Sequence, residues 1–259
     1  MLTAAEGDAV EVINREGSAP VVLVCEHASR FIPASLQGLG LDAEAAASHA
    51  AWDIGARDVA VELSRLLDAP LVASRVSRLV YDCNRPPEAD SAFPAQSEVI
   101  EVAGNRGLTE DEKHARTAAI YTPFKTILAQ VIAERTAAPA LVTIHSFTPV
   151  YFGERRAVEL GLLHDADARM AEWMLKQARK TTALRAALNA PYDARDGVLH
   201  TLKCHATAAG LPSVMIEIRN DLVATPARAV SMAAALAPMI EGAADEVVSS
   251  GAQTRGMRG

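Results

Sequence analysis

The chain has 259 residues, half of them hydrophobic, enough for one sizeable core or at most two small domains. Its net charge of -7 and pI near 5.5 argue against a nucleic-acid-binding surface. No run approaches the roughly 18 apolar residues of a membrane span, and residues 1–14 carry acidic groups without the apolar core of a signal peptide.

In chain order, residues 21–25 (Val-Val-Leu-Val-Cys) read as a strand buried on both faces, and Glu26 and His27 close it. Residues 52–67 carry apolar side chains at helical spacing. Short strands are expected over 70–73 and 77–81, the second ending in Asp82-Cys83-Asn84-Arg85-Pro86-Pro87, where the prolines stop regular structure. Residues 91–107 form a long irregular loop, a kind of segment that is often functional. Thr109 caps a helix whose first turn is acidic, and the pattern carries it to about residue 136. Strands follow over 140–144 and 158–163, then a helix over 167–180, a polar loop over 189–197 and a helical stretch over 199–209. A core strand over 212–218 contains Glu217 and leads to Arg219; a last helix covers 226–242, and 247–259 reads as a frayed tail. This alternation predicts an α/β chain with a largely parallel sheet, one domain over 1–259 with its core at about 18–243.

The chemistry-bearing residues gather at strand ends. His27 and His145 each terminate an apolar strand, and the carboxyl edge of an α/β sheet is where ligands bind. Such a pair is either the start of a metal site or two hydrogen-bonded structural histidines. A third ligand would come from Asp53, at the start of a helix, or from Glu26, although Glu26 and His27 are adjacent and should point to opposite faces. Glu217, a carboxylate inside an apolar strand, is a general base or an ion-pair partner of Arg219. Asn84-Arg85, stiffened by two prolines, offers a fork for a carboxylate or is an ordinary loop pair. Arg78 and Arg219 are further candidates for an anion pocket, and Ser146 for a pocket hydrogen bond. His200 and His205 lie about a helical turn apart without the Glu of HExxH, which excludes a zincin reading. GxSxG, Walker A and GxGxxG motifs are absent. Three widely spaced cysteines with no CxxC pair fit a reducing cytoplasm and speak against a thiolate metal site.

Five segments together resemble the N-formylglutamate amidohydrolase family. They are Cys25-Glu26-His27-Ala28-Ser29, Trp52-Asp53-Ile54-Gly55, Ser77-Arg78-Leu79-Val80-Tyr81-Asp82-Cys83-Asn84-Arg85-Pro86-Pro87, Thr143-Ile144-His145-Ser146 and Ile216-Glu217-Ile218-Arg219-Asn220-Asp221-Leu222. The resemblance implies a three-layer α/β/α domain with a mixed sheet, as in zinc carboxypeptidases and aspartoacylases. It implies one zinc ion held by His27 and His145, with Asp53 as third ligand by family position. It implies Glu217 as general base, and Asn84 and Arg85 on the α-carboxylate of a small N-acyl amino acid. Arg78, Ser146 and Arg219 would complete the substrate pocket. The implied reaction is hydrolysis of N-formyl-L-glutamate, or of another N-acyl amino acid as in aspartoacylases and carboxypeptidases; the non-enzyme reading is a carboxylate-binding protein. Two departures mark a divergent subgroup: Arg30 stands where the HxxE glutamate of the carboxypeptidases would be, and Glu26-His27-Ala28-Ser29 replaces Pro-His-Ser-Gly.

Overall fold

Alternation along the central strands decides the architecture. In Val21–Cys25, residues 21, 23 and 25 belong to one apolar cluster and residues 22 and 24 to another, so both faces of the sheet are covered. The structure, a computed structural model, describes residues 1–192 and 196–256. Asp193, Ala194 and Arg195 of the expected polar loop, and the last three residues of the expected tail, lie outside the described residues.

The strands and helices are β1 (Val10–Ile13), β2 (Val21–Cys25), α1 (Ala43–Ala47), α2 (Ala56–Leu67), β3 (Leu71–Ser74), β4 (Gln96–Ser97), β5 (Ile100–Glu101), α3 (Glu110–Arg116) and α4 (Thr122–Ala133). They continue with β6 (Ala140–Phe147), β7 (Val150–Tyr151), β8 (Glu154–Arg155), β9 (Leu160–Leu163), α5 (Arg169–Thr181), β10 (Ala186–Leu188), α6 (His200–His205), β11 (Ser213–Arg219) and α7 (Pro226–Gly256). Seven strands form one sheet in the order β1-β3-β2-β6-β11-β9-β10. The centre, β3-β2-β6-β11, is parallel; β1 joins β3 and β9 joins β11 antiparallel, so the sheet is mixed, as the family resemblance implies.

One helical layer is built by α2, α5 and α7, whose Leu63, Met174 and Leu236 pack on Leu23, Ile144 and Ile216. The opposite layer, α4 with α6 and the connecting loops, sets Phe124, Leu128 and Leu202 against Val24, Leu141 and Met215. Each such side chain removed from water contributes about 1.5–3 kcal/mol before entropy is counted.

Several expected elements differ from those observed. Residues 77–81 are a turn, not a strand: the Ser77 hydroxyl donates to Ala51 O, and Val80 N bonds back to Ser77 O. The expected helix from Thr109 has the predicted cap, reinforced by Glu112 returning a bond to Thr109 N at 2.8 Å, but a π-turn over Thr117–Tyr121 separates α3 from α4. That extra residue brings Tyr121 over Tyr81, with ring centroids 5.2 Å apart, and its hydroxyl to His200 Nε2 at 2.7 Å. The last helix runs to Gly256 instead of stopping near 242, because nothing after Gly242 breaks it. β1 and β10, the edge strands, have no counterpart among the elements expected from sequence.

Candidate metal centre and active site

The parallel register puts the site together. His145 in β6 pairs with Glu217 in β11, so both side chains leave the same face of the sheet near its carboxyl edge. His27 follows β2, and its carbonyl accepts from Asp53 N at 2.9 Å, which ties the turn before α2 to the end of that strand. Gly55 makes this turn possible: its φ is +79°, and a Cβ there would collide with the Val223 carbonyl. Ser146 locks Asp53 from the other side, its N–H donating to Asp53 Oδ2 at 3.1 Å and its hydroxyl to Ile54 O at 2.8 Å.

His27, Asp53 and His145 each present a ligand atom, all within 4.8 Å of one another and all buried. Asp53 Oδ2 lies 3.4 Å from His27 Nδ1 and 3.0 Å from His145 Nδ1. His27 Nδ1 is buried without a hydrogen-bond partner, as expected for a nitrogen aimed at a cation. The far side of each ring meets a carboxylate: His27 Nε2 is 2.7 Å from Asp82 Oδ1, and His145 Nε2 is 3.0 Å from Glu26 Oε2. Metal-ligating histidines characteristically use such carboxylates to fix tautomer and ring orientation; the His27–Asp82 contact is a hydrogen bond of this kind, whereas the His145–Glu26 pair is a close ion-pair approach without hydrogen-bond geometry. The donor set, two imidazoles and one carboxylate with room for a solvent or substrate ligand, fits a catalytic zinc ion. Glu26, the rival third ligand, lies with His27 in the turn after β2, and its carboxylate stands 3.0 Å from His145 Nε2, outside the His27-Asp53-His145 cluster.

Arg78 joins the two acidic partners. Its Nη1 donates to Asp53 Oδ1 at 3.2 Å and its Nη2 to Asp82 Oδ2 at 2.9 Å. Burial alone would raise the Asp82 carboxyl, but His27 and Arg78 override it and hold it well below the usual range. Burial would likewise lower His145, and the adjoining Glu26 and Asp53 instead raise it well above the ordinary imidazole value. Glu217 behaves oppositely: burial pushes its carboxyl up to about 7, and its Oε2 has no partner.

His27, Asp53, Arg78, His145 and Glu217 line a cleft of about 170 Å3 that also includes Asn84, Arg85 and Ser146. Asn84 is committed within the protein, its amide donating to Val198 O and accepting from Thr201 N, so it shapes the loop before α6. Among the described residues only Nη1 of Arg85 is engaged, by the carbonyls of Asn84 and Gly197. Arg219 does not reach the cleft: it pairs with Asp221 at 2.7 Å and Glu159 at 3.3 Å, so the expected ion pair with Glu217 is not made either. Sequence reasoning gave no role to Asp82, although it lies inside the most specific motif, and missed His49, Tyr151 and Tyr192 in the cleft wall. Tyr192 approaches because Gly161 has no side chain; a Cβ there would meet Ala190 O and lie 3.1 Å from Glu217 Cβ.

The mixed α/β/α sandwich thus carries a buried His-Asp-His cluster of the composition that can hold a metal ion, beside a carboxylate with a raised pKa. Residues 19–224 match the model of the N-formylglutamate amidohydrolase family, and the chain belongs to that family of amidohydrolases. The gene product Atu2144 from Agrobacterium tumefaciens superposes with a TM-score of 0.92 at 50% identity, over 95% of this chain and 98% of that one. The N-formylglutamate amidohydrolase from Ralstonia eutropha JMP134 shares the fold, with a TM-score of 0.65 at 18% identity over 93% of this chain and 99% of its own. No curated protein sequence matches the chain.

Proposed function

We propose that the protein is a zinc-dependent hydrolase that removes the acyl group from an N-formyl or other N-acyl amino acid, N-formyl-L-glutamate foremost, giving the free amino acid and a carboxylic acid. The observation that carries this reading is the in-register pairing of His145 with Glu217 next to Asp53 and His27. His27, Asp53 and His145 would hold the cation. A bound zinc ion supplies Lewis acidity toward the acyl carbonyl and lowers the pKa of water to near 7. Glu217, buried and unpartnered at Oε2, takes a proton from the attacking water and returns it to the leaving amine nitrogen. Its raised pKa suits both transfers near neutrality. Arg85 meets the α-carboxylate with its unengaged donors, and Asn84 fixes the loop against which Arg85 is held. Arg78 and Ser146 keep Asp53 and Asp82 in place.

The buried cysteines Cys25 and Cys83 and the exposed Cys204 are all unpaired, which supports operation in the cytoplasm. No helix among the described residues is long and apolar enough to cross a membrane. The test is elemental analysis of the wild type and His145→Ala, with formate release from N-formyl-L-glutamate and a panel of other N-acyl amino acids. The wild type should carry about one zinc per chain and release formate; His145→Ala should lose both. Full metal occupancy in that variant would overturn the ligand assignment.

A further inference from the structure

The proposed substrate carries a second carboxylate, and two of the arginines expected to meet it cannot. Arg78 is matched by Asp53 and Asp82, and Arg219 is held by Asp221 and Glu159 outside the cleft. Arg85 remains for one carboxylate. A different guanidinium packs against the aromatic rings that form the other wall. Arg156 follows β8, and its backbone N–H donates to Pro149 O at 2.9 Å, closing the base of the β7–β8 hairpin. Its Cζ lies 4.5 Å from the ring centroid of Tyr151, 4.7 Å from that of Tyr192 and 5.5 Å from that of Phe147. All three rings line the cleft. Arg156 Nη1 donates to the Tyr192 hydroxyl at 2.8 Å, and burial together with the nearby Glu217 pushes that phenol up to about 12, so it stays protonated.

Among the described residues Arg156 has no carboxylate partner. Aromatic rings attract a guanidinium through its faces and hold it in place, while its in-plane N–H donors remain available for a planar anion. A cation fixed this way, with no anion opposite it among the described residues, is arranged to receive one from a ligand.

We infer that Arg156 is a specificity-determining residue: it receives the side-chain carboxylate of the substrate, so the site selects N-acylated dicarboxylic amino acids over their neutral analogues. This rests on the proposed amidohydrolase function for the identity of the substrate, but its test does not depend on turnover. L-Glutamate and L-glutamine, which contain no scissile acyl group, are titrated calorimetrically into the wild type, Arg156→Gln and Arg156→Lys. The steady-state kcat/KM is measured on N-formyl-L-glutamate and N-formyl-L-glutamine.

The wild type should prefer glutamate to glutamine by roughly 10- to 100-fold, the value of a charge-assisted bidentate contact. Arg156→Gln should abolish that preference by weakening glutamate and leaving glutamine nearly unchanged, and Arg156→Lys should restore part of it. The kcat/KM ratio between the two formyl substrates should follow the binding preference. Equal affinity of the wild type for both ligands, or an undiminished preference in a folded Arg156→Gln protein, overturns the assignment. Failure of the amidohydrolase reading would look different: no hydrolysis of either formyl compound by the wild type, with the binding preference and its dependence on Arg156 still measurable.

Discussion

Asp82→Asn isolates the contribution of a carboxylate that touches neither the proposed cation nor the substrate. In the wild type Asp82 accepts from His27 Nε2 at 2.7 Å, from Arg78 Nη2 at 2.9 Å and from Asn84 N at 2.9 Å. Asparagine is the same size and keeps one oxygen acceptor, so the turn survives while the charge is lost. His27 then faces a neutral acceptor in place of the charged one that makes Nδ1 more basic, and weakening such a partner costs up to about 10- to 100-fold in metal affinity. Arg78 also loses one of its two compensating charges. A charge-assisted hydrogen bond contributes about 1.5–3 kcal/mol, so a stability loss of roughly 2 kcal/mol is expected at neutral pH.

The pH dependence of that loss has a definite sign. Asp82 is held below its unfolded value, so its contribution is fully present above about pH 4 and fades as the pH falls below it. The two proteins should therefore differ most at neutral pH and converge in acid. Zinc affinity is read by competition with a chromophoric chelator, and stability by urea unfolding of the metal-free proteins at several pH values. An Asp82→Asn protein that binds zinc within about threefold of wild type would refute the argument that the Asp82–His27 contact organises the site.

Glu217→Gln should retain bound zinc yet lose activity by about 100-fold or more, the usual contribution of a positioned base. Because burial raises the Glu217 carboxyl to about 7 and the reaction needs its ionised form, wild-type kcat/KM should rise with pH through about 7; a flat profile from pH 5 to 8 would count against Glu217 as the base. Gly55→Ala forces a side chain into positive φ against the Val223 carbonyl and should lower stability by about 2 kcal/mol or more in urea unfolding, with zinc affinity falling as the Asp53 turn shifts.

The parts of this molecule legible in its sequence are those with short-range causes. Continuous apolar runs mark β2, β6 and β11, and the Thr109 cap marks the start of α3. Strand alternation does not decide between Glu26 and His27, because both lie in the turn that follows β2. What stayed hidden depends on long-range placement. Asp82 and Arg78 gain their roles only because a turn, where a strand was expected, folds them toward Asp53, 25 or more residues earlier in the chain. Arg219 looked like a cleft residue because it ends the strand bearing Glu217, but a local pair with Asp221 captures it. Arg156 and Tyr192 have no sequence signature; their proximity is created by a hairpin and by the missing side chain of Gly161.

The pairing of β6 with β11 also bears on how the chain reaches its working state. His145 and Glu217 are 72 residues apart, and Asp53 and His145 are 92 residues apart, so these two contacts of the centre span long loops. Such contacts carry a larger closure entropy than local ones, which slows folding. A slip of β11 by a single residue would swing Glu217 into the helical layer and put Ile216 or Ile218 in its place, burying a carboxylate among hydrocarbons. The acid that equips this protein for chemistry therefore also penalises misregistered folding intermediates, and a Glu217→Leu chain would be expected to reach compact but misaligned states more readily than the native sequence does.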